Sequence, residues 1–391
     1  MLALALLALI AIQRLSAQST PALVIHRTLS AYVRVPGSAP RLAWPREGQA
    51  ALEVEGVGGL GRVGVQTPAP IASVAKVMTA YLTLLEHPLL RGEEGFVVRI
   101  TAADVEEDER RAALGESTLP VRAGELISER EALEALLLPS ANNVAALLAV
   151  HDAGTLAEFV GRMNSLARKL HMGSTTYTDP SGFDDRTVST AADQLTLARM
   201  AMRIPAFAEI VDEPSAELPY AGRVANFDGL LGRDGFVGVK TGSDRAAGGC
   251  FVFAKRVTLD GKPMTVLGVV LGQRQGSLIE AALLSAERLG DSAAEALRVE
   301  TVLPAGAAVL SATSPDGRRA AAVTAAPVQQ IGWGGLELPV KVLVRSPATK
   351  LRAGEQLATV VVDGARVAFT GALATRSIGG ASFGWRLRHL F

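Results

Sequence analysis

The chain has 391 residues, 49% of them hydrophobic and 20% charged, with Lys+Arg 39 against Asp+Glu 39. That length exceeds one average domain and the apolar share supports a buried core, while zero formal net charge removes any global electrostatic case for nucleic acid as a partner. One cysteine, Cys250, permits no internal disulfide, and His26, His87, His151, His171 and His389 stand singly without zinc-like spacing, so neither a metal nor a cofactor is expected.

Residues 1–12 form an unbroken apolar run followed by Gln13-Arg14-Leu15-Ser16-Ala17. It is shorter than the ~20 residues that span a bilayer, and it fits a secretory segment cleaved after Ala17. Residues 1–17 are therefore expected to be a signal peptide, and the protein to be exported to the cell envelope, either at the outer face of the cytoplasmic membrane or secreted. Residues 18–45, rich in Ser, Pro and short apolar pieces, read as a connector. Residues 49–55 and 61–65 read as a strand pair. Between them lies a literal G-x-G-x-x-G, Gly56 to Gly61, but Gln66-Thr67-Pro68-Ala69-Pro70 follows instead of a helix, so a turn is expected and not a dinucleotide site.

Residues 71–86 carry apolar side chains at helical spacing between proline-rich ends. Ser128 to Glu131 is a capping box opening a helix to Leu138; Pro139 stops it, and another begins near Asn143. Residues 159–170 and 191–202 are further amphipathic helices. The period then changes: residues 235–240, 249–257 and 264–271 read as strands, and 278–289 as a helix. From 297 to 375 short strand-like runs alternate with Pro/Gly turns, as in a small all-β domain.

Three motifs carry chemistry. Ser73-Val74-Ala75-Lys76 sets a hydroxyl and an amine on one helical face, at a helix start whose free N–H groups suit a developing oxyanion. A serine needs an adjacent base, and a lysine serves once its pKa is lowered. Ser140-Ala141-Asn142 lies in the break between two helices, and Lys240-Thr241-Gly242 ends a strand. Each is commonplace alone; in this order and context they form the S-x-x-K, S-x-N, K-T-G set of penicillin-binding proteins and serine β-lactamases.

At these residues, and at Phe159-Val160, Met163-Asn164, the stretch from Thr178 to Gly182 and Ser189-Thr190-Ala191, the chain resembles the low-molecular-mass penicillin-binding proteins that act as D-alanyl-D-alanine carboxypeptidases. The resemblance implies an α/β (α+β) transpeptidase/β-lactamase-like domain over residues 46–290, a central antiparallel sheet flanked by helices. A small all-β sandwich would follow at 297–375. It implies that Ser73 is the nucleophile, Lys76 its base and Ser140 a proton relay. Asn142 would hold the substrate amide, Lys240 and Thr241 the terminal carboxylate, and the N–H groups of Ser73 and Ser243 the oxyanion. The implied partners are a peptidoglycan stem peptide ending in D-Ala-D-Ala, with β-lactams as inhibitors.

Ser243-Asp244 after K-T-G departs from the group's frequent bulky residue and resembles β-lactamases, which leaves a class A-like β-lactamase as an alternative. The stretch 177–187, however, offers Asp179, Asp184 and Asp185 but no Glu to hold a deacylating water. A catalytically silent wall-binding protein is a further alternative. In the tail, 381–391, Phe383, Leu387, Leu390 and Phe391 share one helical face, which would either pack on the β domain or touch a membrane.

Overall fold

The alternating run around residues 249–257 becomes a 12-residue strand of a five-stranded antiparallel sheet in the computed structural model, which describes Ile10, Gln13, Arg14 and residues 21–345 and 349–389. The strands are β1 (Gln49–Val54), β2 (Gly58–Val63), β3 (Phe236–Asp244), β4 (Gly248–Leu259) and β5 (Lys262–Gln273). Their order is β3-β4-β5-β1-β2, which leaves β3, with Lys240 and Thr241, at an edge. The glycine-rich stretch at 56–61 joins and enters the β1–β2 hairpin, so its resemblance to a dinucleotide motif ends there.

Register explains one glycine within the sheet. Phe253, Gly268 and Leu52 stand opposite one another on β4, β5 and β1. A Cβ on Gly268 would lie 2.1 Å from Phe253 Cζ and 2.8 Å from Leu52 Cδ1, so the glycine makes room for the ring.

Eight helices complete this unit, which covers Arg41–Glu295 but for the last residue of α8: α1 (Lys76–Glu86), α2 (Ala102–Ala113), α3 (Glu129–Leu137), α4 (Asn142–Ala153), α5 (Leu156–Lys169), α6 (Ala191–Ala201), α7 (Pro205–Val211) and α8 (Leu278–Ala296). Both faces of the sheet are covered. Val252, Ala254 and Val269 join Met78, Leu136 and Phe159 in the core shared with α1, α3 and α5. On the opposite face α8 turns Ala282, Ala286, Leu289 and Ala293 inward, and Gly290 approaches Phe236 and Phe253.

Helix α2 escapes a sequence reading because Arg111 is its one buried residue, so it has no apolar stripe; the Thr101–Asp104 capping box is its local signal. The helix expected over 71–86 divides: a 3-10 turn at Ala72–Ala75 precedes α1.

The described residues of Met1–Pro40 and Ala296–Phe391 form a second, mainly β unit that also carries the short helix Phe383–Arg388. Its seven-stranded sheet runs in the order Val24–Arg27, Ala308–Thr313, Arg319–Thr324, Ala368–Ala374, Gln356–Val362, Glu337–Val344, Tyr32–Arg34, beside a ribbon of Arg298–Leu303 with Val328–Gly332. Residues 18–45 are thus not simply a connector, since they supply both outermost strands of that sheet. These strands are 4 and 3 residues long and their partners lie far along the chain, so local pattern could not reveal them. The signal segment expected at 1–17 lies, apart from Ile10, Gln13 and Arg14, outside the described residues. Among the described residues no single helix is long and apolar enough to cross a membrane.

The sheet–helix contact is testable. A Cβ on Gly249 would fall 1.8 Å from the Leu278 carbonyl oxygen, whereas one on Gly161, inside α5, meets nothing within 4 Å. Gly249→Ala should therefore lower the urea-unfolding free energy by about 1–3 kcal/mol. Gly161→Ala should leave it unchanged or raise it by up to about 1 kcal/mol.

Candidate active site

The site is assembled around a strained turn. Ala72 has φ +46°, a left-handed conformation for a residue with a Cβ, immediately before Ser73. Two glycines press on this turn. A Cβ on Gly242 would stand 2.9 Å from Ser73 N and 3.0 Å from Val74 N, and one on Gly182 1.9 Å from the Ala72 carbonyl oxygen. The glycine of K-T-G thus lets the edge strand β3 lie against the backbone of the Ser73 turn.

Lys76, the first residue of α1, is fully buried. Its Nζ lies 2.8 Å from Ser73 Oγ, 2.6 Å from Asn142 Oδ1 and 3.0 Å from the Ser181 carbonyl oxygen. Burial first, and then the charge of Lys240, hold its pKa well below the ordinary lysine value; Asp179 and Glu116 oppose this, and Arg111 adds to it. A neutral amine has two N–H donors and one lone pair. Asn142 Oδ1 and the Ser181 carbonyl take the donors, which leaves the lone pair for the Ser73 hydroxyl.

Asn142 opens α4, and Ser140 sits two residues earlier in the left-handed region, φ +68°. The Ser140 hydroxyl is buried and has no hydrogen-bond partner among the described residues. Lys240 and Thr241 are buried on β3, and Ser243 follows them, half-buried. Desolvation pulls Lys240 down to about 7, with Asp228 opposing; burial in turn lifts Asp228 to about 6. The structure therefore brings Lys76 into direct contact with Ser73 and Asn142, sets Lys240 within electrostatic reach of Lys76, and places Thr241 and Ser243 on the same strand edge as Lys240.

Several members of the site were not picked out from sequence as such. Asn142 Nδ2 donates to Glu116 Oε2 at 2.8 Å, and Arg111 Nη1 donates to the same oxygen at 3.0 Å. A carboxylate only accepts, so Glu116 forces the amide nitrogen toward itself and Oδ1 toward Lys76. Glu116 lies in a loop after a helix with no apolar stripe, and nothing in its neighbourhood of sequence points to Asn142. Asp179 receives Ser181 N, Ser181 Oγ, Phe183 N and Thr187 Oγ1 at 2.5–3.1 Å, so its oxygens are engaged in holding the Ser181 carbonyl in place. Asp184 pairs with Arg186 and Asp185 is exposed. None of the three is poised to activate a water.

Residues 62–275 match the D-alanyl-D-alanine carboxypeptidase family. Similar curated proteins include a D-alanyl-D-alanine carboxypeptidase of Mycobacterium tuberculosis, 37% identical over 192 residues, which are 47% of this chain and 62% of that protein. A D-alanyl-D-alanine endopeptidase of Escherichia coli is 30% identical over 210 residues, 51% of this chain and 62% of that protein. The match thus spans 62% of the length of each of these relatives. Among solved structures, the Streptomyces K15 DD-transpeptidase superposes with a TM-score of 0.55 at 26% identity, covering 66% of this chain and 98% of that one. Penicillin binding protein 5 from Haemophilus influenzae reaches 0.60 at 19% identity over 88% of this chain and 99% of its own, a likeness of fold.

If Glu116 sets the amide of Asn142 and through it the amine of Lys76, Glu116→Gln has two effects. Acylation by penicillin should slow about tenfold or more, the worth of a charge-assisted hydrogen bond. Removing an anion that favours protonated Lys76 should also move the acidic limb of the acylation pH profile to lower pH. An unmoved limb would reduce Glu116 to a packing role.

Proposed function

The chain belongs to the D-alanyl-D-alanine carboxypeptidase family, and from that premise we propose that it is a serine D-Ala-D-Ala carboxypeptidase that removes the terminal D-alanine from peptidoglycan stem pentapeptides and is acylated by penicillin. One observation carries the reading: the buried Lys76 amine, 2.8 Å from Ser73 Oγ, with its N–H groups taken up by Asn142 and the Ser181 carbonyl.

Ser73 Oγ attacks the carbonyl carbon between the two D-alanines while its proton passes to Lys76 Nζ. The oxyanion forms against the backbone N–H groups of Ser73 and Ser243, donors worth about a hundredfold or more in rate. Ser140, whose hydroxyl is otherwise unpartnered, relays that proton to the departing amine, giving up its own as it takes the one held by Lys76. D-alanine leaves, the remaining peptide stays as an ester on Ser73, and water releases it. Lys240 and Thr241 hold the substrate's terminal carboxylate. Because burial pulls Lys240 down to about 7, a bound carboxylate also favours its protonated form, so a free carboxyl terminus is coupled to a charged Lys240.

The β-lactamase alternative needs a carboxylate-held water at the acyl-enzyme. The loop at 177–187 offers Asp179, already bound to four donors, Asp184 in an ion pair, and exposed Asp185. A silent binding protein would have no use for a lowered Lys76 beside Ser73. We also infer export, from the apolar run at 1–12, and contact of the tail with a membrane surface. The helix Phe383–Arg388 is tied at its start through Ser382 N to Asp316, yet leaves Phe383 70% and Leu387 52% exposed. Those two side chains are i and i+4 on one face.

Two measurements check these readings. Penicillin should add once, at Ser73, in peptide maps, persist for minutes or longer, and fail to label Ser73→Ala; rapid multiple turnover would favour the β-lactamase. In vesicle flotation, the chain lacking residues 381–391 should partition less than the chain that retains them; equal partitioning would make the tail a packing element.

A further inference from the structure

At the end of α1 farthest from Ser73 lies a polar cluster that the chemistry above does not use. His87 follows the last residue of α1, and His151 and Asp152 occupy the final turn of α4. A ligand-capable atom from each lies within 4.8 Å of the others. His87 Nε2 stands 3.3 Å from Asp152 Oδ1, and the Asp152 side chain has no solvent exposure.

An ordinary His–Asp ion pair accounts for this incompletely. Asp152 Oδ1 is buried with no hydrogen-bond partner, so the 3.3 Å approach of His87 is not an aligned hydrogen bond. The second oxygen, Oδ2, is already committed to Thr83 Oγ1 at 2.7 Å, which fixes the carboxylate's orientation from behind. Arg162, the nearby arginine, spends its Nη1 on Glu86 and on the Asp152 backbone carbonyl and does not reach the carboxylate. A second carboxylate, Glu129, is also buried and has an unpartnered oxygen of its own. Two imidazoles, those of His87 and His151, face the Asp152 carboxylate. Both rings are set by Phe96, which stacks on His151 at 4.0 Å and meets His87 edge-on at 4.9 Å.

We propose that His87, His151 and Asp152 bind one zinc(II) ion, with the fourth position taken by water. The donor set of two imidazoles and one carboxylate suits zinc. Zinc–ligand bonds of about 2.0–2.1 Å place the ligands of a tetrahedral ion about 3.3 Å apart, the separation His87 and Asp152 already have. The three ligand atoms lie within 4.8 Å of one another, so closing to that spacing takes a movement of at most about 1.5 Å, and His151 is exposed at the surface. Thr83 serves as the outer hydrogen bond that such carboxylate ligands take. The ion would brace α1 to α4 at their C-terminal ends, while their N-terminal ends carry Lys76 and Asn142. With 11 residues in α1 the two places are roughly 16 Å apart, so the ion stabilises the helix pair and takes no part in acyl transfer.

The test uses the full chain after treatment with a chelator, titrated with zinc chloride by calorimetry and by thermal melting. One equivalent should bind and raise Tm, and cobalt(II) in its place should give the intense visible absorption of a tetrahedral ion. His151→Ala and Asp152→Asn should each weaken binding by about a hundredfold or more. His171→Ala, at an isolated histidine, should leave it unchanged, and penicillin labelling of Ser73 should persist in all three. Absence of saturable one-to-one binding, equal affinity in His151→Ala, or the weak spectrum of octahedral cobalt would each overturn the proposal.

Discussion

Two lysines withdrawn from solvent within electrostatic reach of one another are the constraint on which the rest of the larger unit depends. Lys76 and Lys240 are both buried, each is driven toward its neutral form by desolvation, and the charge of Lys240 pushes Lys76 further down. An isolated buried ammonium would be untenable. A buried amine with two acceptors and a hydroxyl within 3.0 Å is satisfied, and it is the species able to take a proton from Ser73.

Keeping that amine satisfied requires four separate pieces of chain. Lys76 itself begins α1, Asn142 begins α4, Ser181 comes from the loop whose shape Asp179 sets, and Glu116, from the loop after α2, decides which way the Asn142 amide faces. The backbone adapts to these demands. Ala72, next to Ser73, and Ser140, the first residue of S-x-N, sit at positive φ, and Gly182 and Gly242 are bare because a Cβ would collide with the Ser73 turn. Two of the positive-φ residues thus belong to the motif region, and the apolar packing of the sheet and of α3, α5 and α8 supports it.

Helices α1 and α4 are used at both ends. Their N-terminal residues meet through Lys76 and Asn142, and their C-terminal turns meet through His87, Thr83 and Asp152. A helix pair fixed at two points about three turns apart resists both sliding and splaying.

Order and spacing of the three motifs, the periodicity of α1, α5 and α6, the capping box of α3 and the strand runs of β3, β4 and β5 were all legible along the chain. They are local: a hydroxyl three residues from an amine, a capping box, an alternation of apolar side chains. The family and the antiparallel sheet with helices on both faces followed from them. What only the tertiary structure decided is non-local. The two short strands from residues 21–40 find partners in the C-terminal sheet, Glu116 selects the orientation of an amide 26 residues away, and Gly242 serves an approach of two backbones. The scattered histidines His87 and His151 converge with Asp152 only because α1 and α4 end side by side. Sequence records which groups a segment carries and their local period, whereas the pKa of Lys76 and the facing of Asn142 depend on neighbours brought together by packing, and burial and distance do not exist until the chain has folded.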